Sequence, residues 1–76
     1  MFYSIQIIDN EKINCRFFKS KSKAELAFQK LGDELRKSGK DRLLIYDDTN
    51  KLKRYSYCGK MDYTIITLKE EEFVDD

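Results

Sequence analysis

Apolar and polar side chains alternate through the first part of the chain. In "FYSIQII" an extended backbone puts Tyr3, Ile5 and Ile7 on one face, and in "INCRFF" it does the same for Ile13, Cys15 and Phe17. Between the two runs lies "DNEK", where Asp9 and Asn10 tolerate turn geometries and can bond their own backbone. The pattern predicts a β-hairpin.

The period then changes from two to about 3.6. Ala24, Ala27, Phe28, Leu31 and Leu35 recur at helical spacing and make one apolar stripe. Ser22 stands three residues before Glu25, the spacing of a capping box in which each residue satisfies an orphan amide of the other's turn. Gly39 supplies the stop, because glycine adopts the left-handed cap without strain. The lysines and serines of "KSKSK" therefore read first as a helix entrance rather than a grip on phosphate. Leu26 breaks the stripe, falling nearly opposite it among Lys23, Lys30, Asp33 and Lys37. Single exposed leucines are ordinary, but one ringed by lysines also has the composition of a small contact patch.

Three more extended segments follow: "RLLIY", "KRYSYC" and "MDYTIITLK". "DDTNK", with Asp47 and Asp48, is expected to turn between the first two, and Gly59-Lys60 to form a two-residue loop between the last two. That loop would set Cys58 opposite Met61, Ser56 opposite Tyr63 and Arg54 opposite Ile65. The order is β-β-α-β-β-β, which predicts an α+β fold: one antiparallel sheet, in the order 2-1-3-4-5, with the helix packed on one face. Residues 1–69 form the expected single compact domain, and residues 70–76, "EEEFVDD", an acidic flexible tail. One helix covers one face only. Tyr55 and Tyr57 would share a face with Thr64, Ile66 and Leu68, so both faces are partly apolar. A twin subunit, a partner protein or a nucleic-acid base could cover the second.

Composition narrows the function classes. The 76 residues are enough for one small domain, and histidine, tryptophan and proline are all absent. The N-terminal run lacks the pattern of a secretory signal, and no apolar stretch is long enough to span a membrane, so a cytoplasmic setting is expected and no membrane partner. Cys15 and Cys58 form no metal-binding spacing; two reduced thiols are expected, with a bridge left open if their strands lie close. No cofactor and no metal is implied. The net charge of +1 hides an uneven layout: residues 12–60 carry fourteen bases against six acids, and residues 61–76 one base against six acids. Such asymmetry bears on partners.

Catalysis is the weakest class. Without histidine the usual proton shuttle near neutral pH is missing, and Asp47-Asp48 has turn chemistry more than that of a metal pair. No catalytic residue is assigned. Single-stranded nucleic-acid binding is better founded, because "KLKRYSY" interleaves Lys53 and Arg54 with Tyr55 and Tyr57, and Arg16 on the second strand could extend that surface. The leading expectation is a small non-catalytic interaction protein that binds a partner protein and modulates or inhibits it. Its candidate contacts are Leu26 and Lys30 on the helix and Glu70, Glu71, Glu72 and Phe73 in the acidic segment. The lysine- and isoleucine-rich composition suits an AT-rich bacterial or phage genome, where host machinery such as a defence nuclease is a natural target. Homodimerisation also fits a half-covered sheet.

Overall fold

The computed structural model describes residues 1–49 and 51–72, with the side chains of 42–48 left aside. Five strands and one helix follow the expected order: β1 (Phe2–Asp9), β2 (Lys12–Phe18), α1 (Lys21–Lys37), β3 (Asp41–Asp48), β4 (Leu52–Cys58) and β5 (Tyr63–Glu71). The fold is α+β, a single antiparallel sheet with α1 across one face.

The strand order is β2-β1-β5-β4-β3, not the expected 2-1-3-4-5. Both orders satisfy antiparallel pairing, so direction alone cannot choose between them. The helix decides. Its 17 residues make about 25 Å of helix, while the edges of a five-stranded sheet lie about 19 Å apart. α1 is therefore long enough to carry the chain from one edge to the other, and the meander folds back inward. The last strand then lands beside β1, with Ile66 opposite Ile7 and Leu68 opposite Ile5.

Helix α1 begins two residues earlier than the capping-box spacing indicates. Ser20 is the N-cap, and its side chain accepts from the Lys23 amide at 3.5 Å, while Ser22 Oγ lies 3.0 Å from Ser20 Oγ inside the first turn. The serines alternate, so either can cap; starting at Ser20 adds the Ala24 N–H to Ser20 C=O bond. At the other end Gly39 has φ 93°, its amide bonds to the Arg36 carbonyl, and the Lys40 amide bonds to the Leu35 carbonyl. This is the paired-bond helix stop that a left-handed glycine permits.

The core lies between α1 and the middle strands. Ile5, Ala24, Phe28, Tyr57, Ile66 and Leu68 are buried, flanked by Tyr3, Ile7, Phe18, Ala27, Leu31, Leu35 and Tyr55. Along the helix, buried Ala24, Phe28 and Gly32 follow one another at four-residue spacing. Phe28 meets the Tyr55 ring edge-on at 5.1 Å. Gly32 lies under the Tyr57 hydroxyl, so close that a Cβ there would stand 2.5 Å from that oxygen.

Loop lengths differ from expectation at three places. The first hairpin turns on Asn10 and Glu11 alone, with Asn10 in the left-handed region at φ 57°. β3 includes Asp47 and Asp48, whose backbones pair with those of Arg54 and Lys53, so both residues belong to a strand and the turn begins at Thr49. There the Thr49 hydroxyl accepts from the amides of Lys51 (3.3 Å) and Leu52 (3.0 Å). The β4–β5 loop holds four residues, 59–62, rather than two, and Cys58 pairs with Tyr63. Arg54 thus faces Thr67 and Ser56 faces Ile65, a shift of two residues that keeps every side chain on its expected face.

β5 runs past Lys69: Glu70 and Glu71 pair with Tyr3 and Phe2, and the Glu70 amide bonds to the Lys51 carbonyl at 2.9 Å. The paired sheet thus extends two residues beyond the boundary expected at residue 69. Phe73 and the rest of 73–76 lie outside the described residues. Cys15 and Cys58 are free thiols on β2 and β4. With β1 and β5 between them their strands alone are about 14 Å apart, and Cys58 lies four residues further along the sheet than the position level with Cys15, so no disulfide can join them.

At the turn end of the sheet Lys40 ties three elements together. Its Nζ donates to Thr64 Oγ1 at 2.8 Å and pairs with Asp62 at 3.3 Å and Asp9 at 3.7 Å, with only 12% of its side chain exposed. Thr64 in turn donates to Asp9 at 3.2 Å. Lys40→Met keeps the stem but removes the charge, leaving the two half-exposed carboxylates to water. The expected cost is about 1 kcal/mol, discounted for that exposure, read as a lower urea midpoint with unchanged slope. An unchanged midpoint would mean that the network contributes nothing net.

Candidate interaction surface

The tyrosines come first, because they carried the nucleic-acid expectation. Tyr55 and Tyr57 sit on the face that α1 covers, and Tyr57 is only 3% exposed. Their register explains it: Tyr55 lies opposite Ile66 and Tyr57 opposite Thr64, on the alternation that points at the helix. Tyr57 is core and Tyr55, half-buried, packs against it, so they do not form an open stacking platform. Lys53 shares that face, at a smaller groove between α1 and β4 that it lines with Glu25, Gln29 and Arg36. Arg54 points to the opposite, uncovered face, where its Nε donates to Thr67 Oγ1 at 3.3 Å. Arg16 lies on the helix side at the far edge. Lys53 therefore meets the edges of Tyr55 and Tyr57 in that groove, whereas Arg54 and Arg16 lie apart from it.

The uncovered face is less apolar in its centre than its sequence suggested. Ser4, Ser56 and Thr67 occupy the middle strands there, buried among larger neighbours. Among the described strand residues, its most exposed apolar side chains lie at the β2 margin. Ile13 is 65% and Phe17 67% exposed, and Phe17 meets the Phe2 ring at 5.9 Å.

On the helix side, α1 does not extend over β2. It leaves a groove of about 690 Å³, floored by Ile7, Ala27 and Leu31. Leu26, 53% exposed, stands on its helix wall. Around the opening are Lys23 and Lys30 from the helix and Arg16 from the strand, against a single acid, Glu34. The helix spacing brings the cations together: positions 23, 26 and 30 follow at i, i+3 and i+7 along one stripe. The strand wall follows from the hairpin register, which sets Asn14 opposite Ile7 and Arg16 opposite Ile5. Leu26, Lys30 and Arg16 thus meet in one groove.

The acidic candidates lie elsewhere. Glu70, Glu71 and Glu72 gather with Lys69 around Phe2 at the end of β5. Among the described residues no group of histidine, cysteine, aspartate and glutamate side chains could hold a metal ion, and no helix is long and apolar enough to cross a membrane.

No family model matches the chain, and neither a curated protein nor a solved structure matches it.

Proposed function

We propose that the chain is a non-catalytic interaction module that occupies a partner protein's surface and so modulates or blocks it, the α1–β2 groove receiving an acidic segment with an apolar anchor. The observation that carries this is Leu26. A large apolar side chain stands half out of the helix beside an apolar floor, with three cations and one acid around it. An apolar anchor removes the floor and Leu26 from water, and acidic neighbours on the ligand answer Arg16, Lys23 and Lys30 across a rim where charge governs orientation and rate. A strand of nucleic acid would meet the same cations, but it would find no exposed tyrosine beside them on which to stack.

The test is an NMR titration of the labelled protein with three probes: an acidic peptide carrying a leucine or phenylalanine, the same peptide with alanine there, and a single-stranded oligothymidine. Shifts at Arg16, Lys23, Leu26 and Lys30 are expected with the anchored peptide. The alanine peptide should bind about tenfold more weakly, as should the anchored peptide to Leu26→Glu. Tighter binding of the oligonucleotide, unaltered by Leu26→Glu, would overturn the protein-binding reading.

A further inference from the structure

The outer edge of β2 has no strand beside it among the described residues, and its hydrogen-bonding parity can be read from two places. Asp9 and Lys12 close a two-residue hairpin, which makes them a pair that exchanges backbone bonds. On the other side of β1, the Asn10 amide bonds to the Tyr63 carbonyl at 3.2 Å, so even-numbered β1 residues bond towards β5 and odd-numbered ones towards β2. Lys12, Asn14, Arg16 and Phe18 are consequently occupied with β1. The amides and carbonyls of Ile13, Cys15 and Phe17 point away from the sheet. These are the same residues whose side chains make the exposed margin of the uncovered face.

Natural edge strands are commonly blunted by proline, a bulge or brevity. β2 has none of these: it is seven residues long, without proline, and in unbroken register with β1; the charges it carries, Lys12 and Arg16, are both on the helix side, away from the Ile13–Phe17 margin. The two large apolar side chains at its edge lie symmetrically about its middle residue, Cys15. We propose that β2 pairs antiparallel with β2 of a second copy, about a two-fold axis at Cys15, to give a continuous ten-stranded sheet.

The sequence of β2 is self-complementary in that register. Ile13 falls opposite the partner's Phe17, Phe17 opposite the partner's Ile13, and Cys15 opposite the partner's Cys15. An aromatic residue across from a β-branched one is a favourable cross-strand pair. On the helix side Asn14 meets the partner's Arg16 and Lys12 meets the partner's Phe18, so no like charges stand directly opposite. A shift by two residues in either direction loses both Ile13–Phe17 pairings; one direction sets Lys19 against the partner's Ile13 and Arg16 against the partner's Arg16, and the other sets Glu11 against the partner's Phe17. The closed two-fold uses up the edge on both copies, so the assembly stops at two. It also brings the two α1–β2 grooves side by side. This pairing stands independently of what the groove binds.

One strand pair buries less than a standard interface, so the expected dimer is weak, with Kd about 10–100 μM. Sedimentation across a concentration series should move from the 9.1 kDa monomer towards twice that mass. Ile13→Lys/Phe17→Lys should stay monomeric, its Kd raised by on the order of a hundredfold or more, with an unchanged circular dichroism spectrum because both positions are exposed. Mixing it with Ile13→Glu/Phe17→Glu should restore association, since opposite charges then face each other in every pair. Cys15→Pro is a second block: it removes an amide that the monomer does not use. Register is tested in Cys58→Ser, where copper-phenanthroline oxidation should join Cys15 to the partner's Cys15, as backbone-bonded pairs lie about 5.5 Å apart. A wild-type monomer at about ten times the upper Kd, or a dimer that survives Ile13→Lys/Phe17→Lys, would overturn the proposal. So would a dimer in which Cys15 does not cross-link.

Discussion

Ile66→Ala is expected to leave the domain largely unfolded under conditions where the wild type is stable. Ile66 is fully buried, with Ile7 on one side in β1, Tyr55 on the other in β4, and α1 above. Removing its outer carbons costs about 2–5 kcal/mol through lost burial and the cavity left behind. A chain of this size holds roughly 3–5 kcal/mol in total, so the loss consumes most or all of it. Chemical denaturation monitored by tyrosine fluorescence gives the number, with Ile66→Val as the graded control at about 1 kcal/mol. The neighbouring Ile65 gives the sharper comparison. It is one residue away on the same strand but points to the uncovered face and is partly exposed. Ile65→Ala should cost about 1 kcal/mol or less, because its surroundings were never fully dry. Equal losses at the two positions would mean that α1 does not cover the face assigned to it.

The second large effect runs against helix propensity. In the middle of a helix alanine ordinarily stabilises by about 1 kcal/mol over glycine. At Gly32 the same change should destabilise by about 1–3 kcal/mol, because the new Cβ would stand 2.5 Å from the Tyr57 hydroxyl oxygen and 3.4 Å from the ring carbon that bears it. Tyr57 is only 3% exposed, so its rigid ring has little room to swing aside. Tyr57→Phe deletes the offending oxygen and keeps the ring. In that background Gly32→Ala should become neutral or stabilising, by up to about 1 kcal/mol. Thermal unfolding of the four proteins in the cycle yields the coupling directly. If Gly32→Ala stabilised the wild type, the close approach between helix and β4 would not exist.

The same glycine illustrates where sequence reasoning stops. Nothing in "KLGDEL" says that position 32 must lack a side chain; that requirement comes from a tyrosine 25 positions later, brought over it by strand order. Local signals were legible. The periods of two and 3.6 located the strands and the helix, Gly39 stopped the helix, and alternation put Tyr55, Tyr57, Ile66 and Leu68 on one face even though the loop before β5 is four residues rather than two. Parity survives a slip of two, which is why the face assignments held while the pairings moved. Strand order did not follow, because antiparallel direction is satisfied by β3 or by β5 beside β1. Without the order, the sequence could not say which face the helix takes. The tyrosines therefore looked available to a ligand when they are the floor beneath Phe28 and Gly32.

For the groove, half was readable. The stripe of Lys23, Leu26 and Lys30 stands out from the helical period alone, whereas Arg16 joins it only through the geometry of the β2–α1 junction. That junction is two residues, Lys19 and Ser20, too short for the helix to move far from the edge strand it follows.

The pairing of β1 with β5 also governs the order in which the molecule can be made. The seam in the middle of the sheet joins the first strand to the last, from Phe2 opposite Glu71 to Asp9 opposite Thr64. Each hairpin closes a short loop, but this seam closes one that contains nearly every other residue, and its entropy must be met before the core contacts repay it. A chain emerging from the ribosome therefore holds β1 with one flank bare, and Ile5 and Ile7 without their β5 partners, until β5 itself has been made. The centre of the sheet cannot close before its last strand exists.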